Sequence, residues 1–242
     1  MSVSDVGSRP SPPVTVLLVE DDEVIRKTIG LALERYGYRV STAGDGLTGL
    51  ELFREQRHDV LLLDVMLPGL DGIGLCRKVR ESSMDPILMM SARGDALDVV
   101  SGLEAGADDY VVKPVDTSVL VARIRSLLRR AFFAPGPERT PEPAPGGAND
   151  LVFGDLTIDP QGLEVHRAGE PVALAPTELR LLLEFAANPG IVLDRRTLLR
   201  NVWDYGWDGD SRVVDLCVQR LRKKIGPDRI ETVRGFGYKL RR

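Results

Sequence analysis

The chain has 242 residues, 43% of them hydrophobic and 28% charged, enough for two ordinary soluble domains with separate cores. No apolar run approaches the roughly 18 residues of a membrane-spanning helix, and Met1 to Pro13 lacks the apolar centre of a signal peptide. A cytoplasmic protein with no membrane association is therefore expected. The net charge of −4 is uneven: residues 212–242 hold ten basic and three acidic side chains, while the first half of the chain is acidic. Such a basic stripe predicts an anionic partner, nucleic acid before others. Cys76 and Cys217 lie far apart in sequence, which argues against a disulfide framework and fits a reducing compartment.

The first 13 residues read as a loose tail. From Val14, apolar runs alternate with helical patterns. Strands are predicted at 14–19, 39–43, 60–63, 87–90 and 110–112, and helices at 23–36, 46–56, 72–81, 96–104 and 117–130. Five such units predict an α/β, flavodoxin-like domain over 14–131, a parallel five-stranded sheet of order 2-1-3-4-5. Residues 132–149 contain five prolines and three glycines, the composition of an extended linker. After it the pattern changes. Short strands at 151–153, 156–158, 163–166 and 172–174 precede helices at 177–188 (Thr177 as N-cap), 195–203 and 211–225. Strands at 230–234 and 238–240 close the chain. That order predicts an α+β winged-helix domain over 150–242.

In a doubly wound sheet, ligands bind beyond the carboxyl ends of the strands. The predicted ends carry Glu20-Asp21-Asp22, Asp64, Ser91 and Lys113, with 43 residues from Asp21 to Asp64 and 49 from Asp64 to Lys113. A carboxylate that attacks a phosphoryl group must stay ionised while the incoming charge is neutralised. A Mg²⁺ held by oxygen ligands does both. Asp64 is the expected phosphoacceptor. Asp21 and Asp64 are expected as direct metal ligands, Glu20 through water, and Met66 through its backbone carbonyl. Lys113 and the Ser91 hydroxyl are expected on phosphoryl oxygens. The bond before Pro114 could be cis or trans. Singly, each feature has a plainer reading: an acidic triplet is most often a solvated helix start, and a lone aspartate is a cap as often as a nucleophile. Their order on successive strand ends argues against coincidence.

In the predicted helix at 212–225, Val214, Val218, Leu221 and Ile225 form a core stripe at 100° per residue. The other side shows Arg212, Val213, Leu216, Cys217, Gln219, Arg220, Lys223 and Lys224. Cations beside small apolar groups suit a major groove, where phosphate, guanine and thymine methyls are met. The plainer reading is a solvated basic helix. Arg220 is expected on a base, Gln219 on adenine, and Arg212 and Lys223 on phosphate, with Lys224 a further cation of this face. Arg234, beside Gly235-Phe236-Gly237, is placed to enter the minor groove, and Phe236 and Tyr238 are expected to pack the wing. Trp203 is expected in the core.

These motifs carry a resemblance. Residues 14–131, with LLVEDDE at 17–23, LLDVMLPGLDG at 62–72, SAR at 91–93 and GADDYVVKP at 106–114, resemble a two-component receiver. Residues 150–242, with LAPTEL at 174–179, RLRKKI at 220–225 and TVRGFGY at 232–238, are similar to the winged-helix output domain of OmpR/PhoB-type regulators. The resemblance implies a transcriptional regulator, not an enzyme, whose Asp64 is phosphorylated by a sensor histidine kinase. It makes Ser91 and Tyr110 a switch pair and lets an exposed Trp207 contact RNA polymerase. It also implies a phosphorylation-promoted homodimer through the fourth helix, fifth strand and fifth helix. Asp109 and Arg123 fit one ion pair across that dimer. Val99 and Val119 stand where another pair would be, so a less salt-sensitive dimer on a direct-repeat DNA operator is expected. At Cys217, relatives often carry histidine. Two alternatives remain: an aspartyl-phosphate hydrolase, disfavoured because Met66 stands where its general acid would be, and a regulator that works without phosphorylation.

Overall fold

The computed structural model describes residues 12–92, 96–131, 150–204 and 211–241. Strands β1 (Thr15–Val19), β2 (Arg39–Ala43), β3 (Val60–Asp64), β4 (Ile87–Ala92) and β5 (Asp109–Lys113) form one parallel sheet of order β2-β1-β3-β4-β5. Helices α1 (Glu23–Arg35), α2 (Gly46–Glu55), α3 (Gly72–Arg80), α4 (Ala96–Ala105) and α5 (Thr117–Ala131) connect and follow the strands. Residues 16–19 and 60–63 are fully buried, as strands covered on both faces must be. Each such Val or Leu contributes about 1.5–3 kcal/mol by leaving water.

The second domain starts with antiparallel strands β6 (Leu151–Phe153), β7 (Leu156–Asp159), β8 (Glu164–Arg167) and β9 (Glu170–Pro171). Helices α6 (Pro176–Ala187), α7 (Arg195–Trp203) and α8 (Arg212–Ile225) follow, then the hairpin β10 (Ile230–Val233) and β11 (Gly237–Leu240). Two expectations are corrected here. The fourth short strand lies at 170–171 rather than 172–174, because the turn at Ala168-Gly169 brings the chain back sooner. Thr177 is not the N-cap of α6. It is buried inside the first turn, while Ala175 is the cap and its N–H donates to Glu178 Oε2 at 2.9 Å.

The two domains share a core. Apolar packing on the α2/α3/α4 side of the first sheet, including Leu103, Ala105 and Ala107, runs on into Leu181, Phe185, Trp203, Val213 and Leu216 of the second domain. Helix α8 lies against α4, and α6 against α5.

His58, in the turn leading into β3, is a buried titratable group remote from the strand ends. Burial pulls its imidazole below the ordinary value, although Asp85 and Asp59 act the other way. The unfolded chain takes up that proton near about pH 6.5, the folded chain only at lower pH. Its contribution to stability is thus complete above about 6.5 and is lost as pH falls through that value toward the folded pKa. His58→Leu is expected to flatten the fall in urea midpoint between about pH 7.5 and about pH 5.5. An unchanged pH dependence would exclude His58 as its source.

Candidate phosphoacceptor site and DNA-reading surface

The carboxyl ends of β1, β3 and β5 place Glu20, Asp64 and Lys113 together. Lys113 Nζ lies 2.6 Å from Glu20 Oε2 and donates to Asp64 Oδ2 at 2.8 Å. Burial pulls the ammonium down, but its bonds to Asp64 and Glu20 outweigh that and hold it above its ordinary value. Burial pushes the Glu20 carboxyl up, with Lys113 opposing and Asp64 assisting. Ligand oxygens of Glu20, Asp21 and Asp64 lie within 4.8 Å of one another. Three carboxylates thus face one ammonium, an oxygen-rich set with excess negative charge that fits a hard divalent cation. Glu20 Oε1 is buried with no hydrogen-bond partner among the described residues, which adds to that fit.

The acidic triplet divides by role. Asp22 caps α1, accepting from the N–H groups of Val24 and Ile25, so the plain reading holds for it. Asp21 remains exposed at the cluster. Met66 donates its N–H to Asp64 Oδ1 at 3.3 Å, which puts its backbone beside the acceptor. Gly72 lets α3 begin directly against this loop: a Cβ there would run into the Asp64 carbonyl oxygen. Ser91, on β4, is 1% exposed, and its hydroxyl has no partner among the described residues. A buried hydroxyl left unpaired costs about 1–3 kcal/mol, which sets this one apart from a satisfied core serine. Tyr110 is half-buried on β5, opposite Met89. The Lys113–Pro114 peptide is cis.

The second surface departs from expectation. Val214, Val218, Leu221 and Ile225 of α8 form the core stripe as predicted, each fully buried. Val213, Leu216 and Cys217 are buried too, not facing solvent, because α4 of the first domain covers that side. Burial pushes the Cys217 thiol up to about 12. Arg220 is 12% exposed. Its Nη1 donates to the carbonyls of Leu103 at 2.9 Å and Ala107 at 2.8 Å, and its Nε lies 3.5 Å from Glu178 Oε1. Lys224 is likewise engaged, donating to Glu178 Oε2 and the Ala173 carbonyl. Arg212, Gln219 and Lys223 are exposed, as is Arg234 at the hairpin tip. Tyr238 packs as expected, its hydroxyl donating to Asp215 at 2.7 Å, but Phe236 is 71% exposed rather than buried in the wing.

Trp203 is buried as expected, though at the domain boundary: its Nε1 donates to the Asp108 carbonyl at 3.2 Å. Sequence reasoning does not single out Ser126, Arg129 or Asp204, yet these join the domains. Ser126 Oγ donates to the Trp203 carbonyl, and Arg129 Nη2 donates to Asp204 Oδ2 at 2.8 Å. No linear pattern marks contacts between residues some 75 positions apart. Trp207 lies outside the described residues, as does the side chain of Val99. Asp109 and Arg123 pair within one receiver, at 3.3 Å. Val119 is exposed.

The geometry now meets known proteins. Residues 16–125 match the response regulator receiver domain, and 169–240 match the C-terminal domain of transcriptional regulatory proteins. The transcriptional regulatory protein CseB of Streptomyces avermitilis is 62% identical over 229 residues, covering 93% of this chain and 97% of the relative. The chain is a response regulator of the OmpR/PhoB type. The DNA-binding response regulator MtrA of Mycolicibacterium smegmatis is 42% identical, covering 93% of the regulator and 95% of MtrA. A solved structure of a RitR mutant superposes with a TM-score of 0.70 at 26% identity, covering 94% of the regulator and 98% of that structure. The regulator is thus a phosphorylation-controlled transcription regulator and not an enzyme. Among the described residues, none of its helices is long and apolar enough to cross a membrane.

Proposed function

We propose that Asp64 accepts a phosphoryl group from a sensor histidine kinase in the cytoplasm, and that this promotes dimerisation and DNA binding. The observation that carries the reading is an Asp64 carboxylate paired with Lys113 beside the carboxylates of Glu20 and Asp21, with a buried Ser91 hydroxyl on the neighbouring strand that has no partner among the described residues. An Asp64 oxygen attacks phosphorus, forming a P–O bond as the P–N bond to the kinase histidine breaks. Glu20, Asp21 and Asp64, with the Met66 carbonyl, would hold Mg²⁺, which supplies charge neutralisation to the incoming phosphoryl group. Lys113 and Ser91 hold phosphoryl oxygens, and Tyr110 follows Ser91 as its switch partner. Incubation with acetyl phosphate and Mg²⁺, followed by intact mass, tests this. One stable phosphoryl group per chain is expected. Multiple turnover would indicate a hydrolase, and no reaction a regulator that works without phosphorylation.

The winged helix reads double-stranded DNA at a direct repeat, with Arg220 and Gln219 on bases, Arg212 and Lys223 on phosphate, and Arg234 in the minor groove. Lys224, paired with Glu178 of its own domain, is a further cation of this face. The dimer uses α4, β5 and α5. Asp109 and Arg123 supply one ion pair across it, exchanging their contact within each receiver for one between receivers, while Val119 and Val99 stand where a second ion pair would be. Exposed ion pairs contribute only about 0–1 kcal/mol, and two buried valines offer comparable stabilisation that salt does not screen. Sedimentation of the phosphorylated protein is expected to show a dimer at tens of micromolar that persists in high salt and is lost in Val119→Glu. A dimer indifferent to that substitution would place the interface elsewhere. Contact with RNA polymerase around Trp207 belongs to the same reading.

A further inference from the structure

We propose that Glu178 is a positioning residue for DNA reading: its buried carboxylate holds Arg220 by the inner edge of the guanidinium, so that the outer edge meets a base already aimed. This rests on the reading of α8 as the DNA-reading helix. The LAPTEL stretch at 174–179 supplies no group to the phosphoacceptor site and none to the proposed DNA contacts. It nevertheless carries, among the described residues, the only buried carboxylate of the second domain. A glutamate in this place closes a capping box, and for that it needs only the Ala175 N–H, which Oε2 takes at 2.9 Å. Such an acid is ordinarily left in water. Glu178 is instead 2% exposed. Its Oε2 also takes Lys224 Nζ at 2.6 Å, and its Oε1 faces Arg220 Nε at an ion-pair distance of 3.5 Å.

Arg220 and Lys224 stand four residues apart on one side of α8, where like charges repel. The carboxylate between them offsets that repulsion and ties both side chains to α6. An arginine fork has two usable edges. With Nε turned to Glu178, the terminal nitrogens are what remains for the paired acceptors of a guanine. Nη1 already faces out of the second domain, onto main-chain oxygens of Leu103 and Ala107. A long side chain oriented before DNA arrives loses less freedom on binding, and the gain falls only on a sequence that offers matching acceptors. Lys224 acts in the other direction. Paired with Glu178, it gives up an attraction for phosphate that would be blind to sequence. One carboxylate thus raises discrimination twice.

The full-length chain, treated with acetyl phosphate and Mg²⁺, tests this by fluorescence anisotropy. A duplex enriched from a randomised pool by the parent chain is one probe, and a mixed-sequence duplex is the other. Glu178→Gln keeps the shape and the capping acceptor but not the charge. It is expected to bind the enriched duplex about tenfold more weakly. Its mixed-sequence affinity should hold or rise, with a salt slope steeper by up to about one as Lys224 is freed. Placed on Arg220→Ala, the same substitution should cost the enriched duplex nothing further, because Glu178 acts through that guanidinium. A merely structural role would weaken both duplexes and add to the Arg220→Ala loss, and either result would overturn the proposal. Glu178→Asp keeps the charge but withdraws it by one methylene, and is expected to fall between the parent chain and Glu178→Gln. It runs the same cycle if a thermal melt shows Glu178→Gln unfolded. Should the parent chain enrich no duplex, DNA reading by α8 fails and the proposal with it. Enrichment by the parent chain with undiminished discrimination in Glu178→Gln would sink this proposal alone.

Discussion

Asp64→Asn is expected to abolish Mg²⁺-dependent labelling by acetyl phosphate. The amide has nearly the shape of the carboxylate but neither its charge nor its nucleophilic oxygen pair, so both attack on phosphorus and support of the cation are lost together. The fold should survive. Lys113 keeps its contact with Glu20, and the chain around Asp64 is fixed by backbone bonds such as Val65 N–H to the Met90 carbonyl at 2.9 Å. Intact mass with and without Mg²⁺, beside a thermal melt, separates loss of chemistry from loss of structure. Labelling that persists in this variant would move the phosphoacceptor to another residue.

Arg220→Ala is expected to lower specific DNA affinity by about 1–3 kcal/mol, roughly five- to 150-fold, and to relax preference at one base pair. The measurement belongs on the phosphorylated protein. Without phosphorylation the same substitution also removes two charge-assisted hydrogen bonds to the receiver, and the two effects oppose each other. Arg212→Ala and Lys223→Ala should instead weaken all sequences alike and reduce the salt slope by about one. Equal weakening of specific and random duplexes by Arg220→Ala would remove Arg220 from the base-reading role.

The receiver was legible in the sequence because its determinants are local. Short unbroken runs such as 60–63, bounded by turn signals, suit strands buried on both faces, and the residue that ends each run is carried to the same edge of the sheet. Position alone thus brings Glu20, Asp64 and Lys113 to one edge of the sheet, while the direct contact of Lys113 with Asp64 does not follow from the sequence. In α8 the same logic worked for the core stripe and failed for the opposite side. A periodicity of 100° reports that Val213, Leu216 and Cys217 do not face their own domain's core. It cannot report that another domain covers them. The pairing of Arg220 with Leu103 and Ala107 spans more than a hundred residues and involves only main-chain oxygens of the receiver, which leave no trace in side-chain type. Thr177 misled for a different reason: a capping residue two positions late is cheap to propose when Pro176 can begin the helix itself.

Helix α8 answers to two selections at once. Substitutions at Val213, Leu216, Cys217 or Arg220 that would retarget the protein to a new operator also change how well the helix fits α4. On the proposed reading, a change of operator preference at these positions therefore also changes how the two domains pack. A chain retargeted at these positions should need compensating changes around Leu103 and Ala107 to keep its two domains packed.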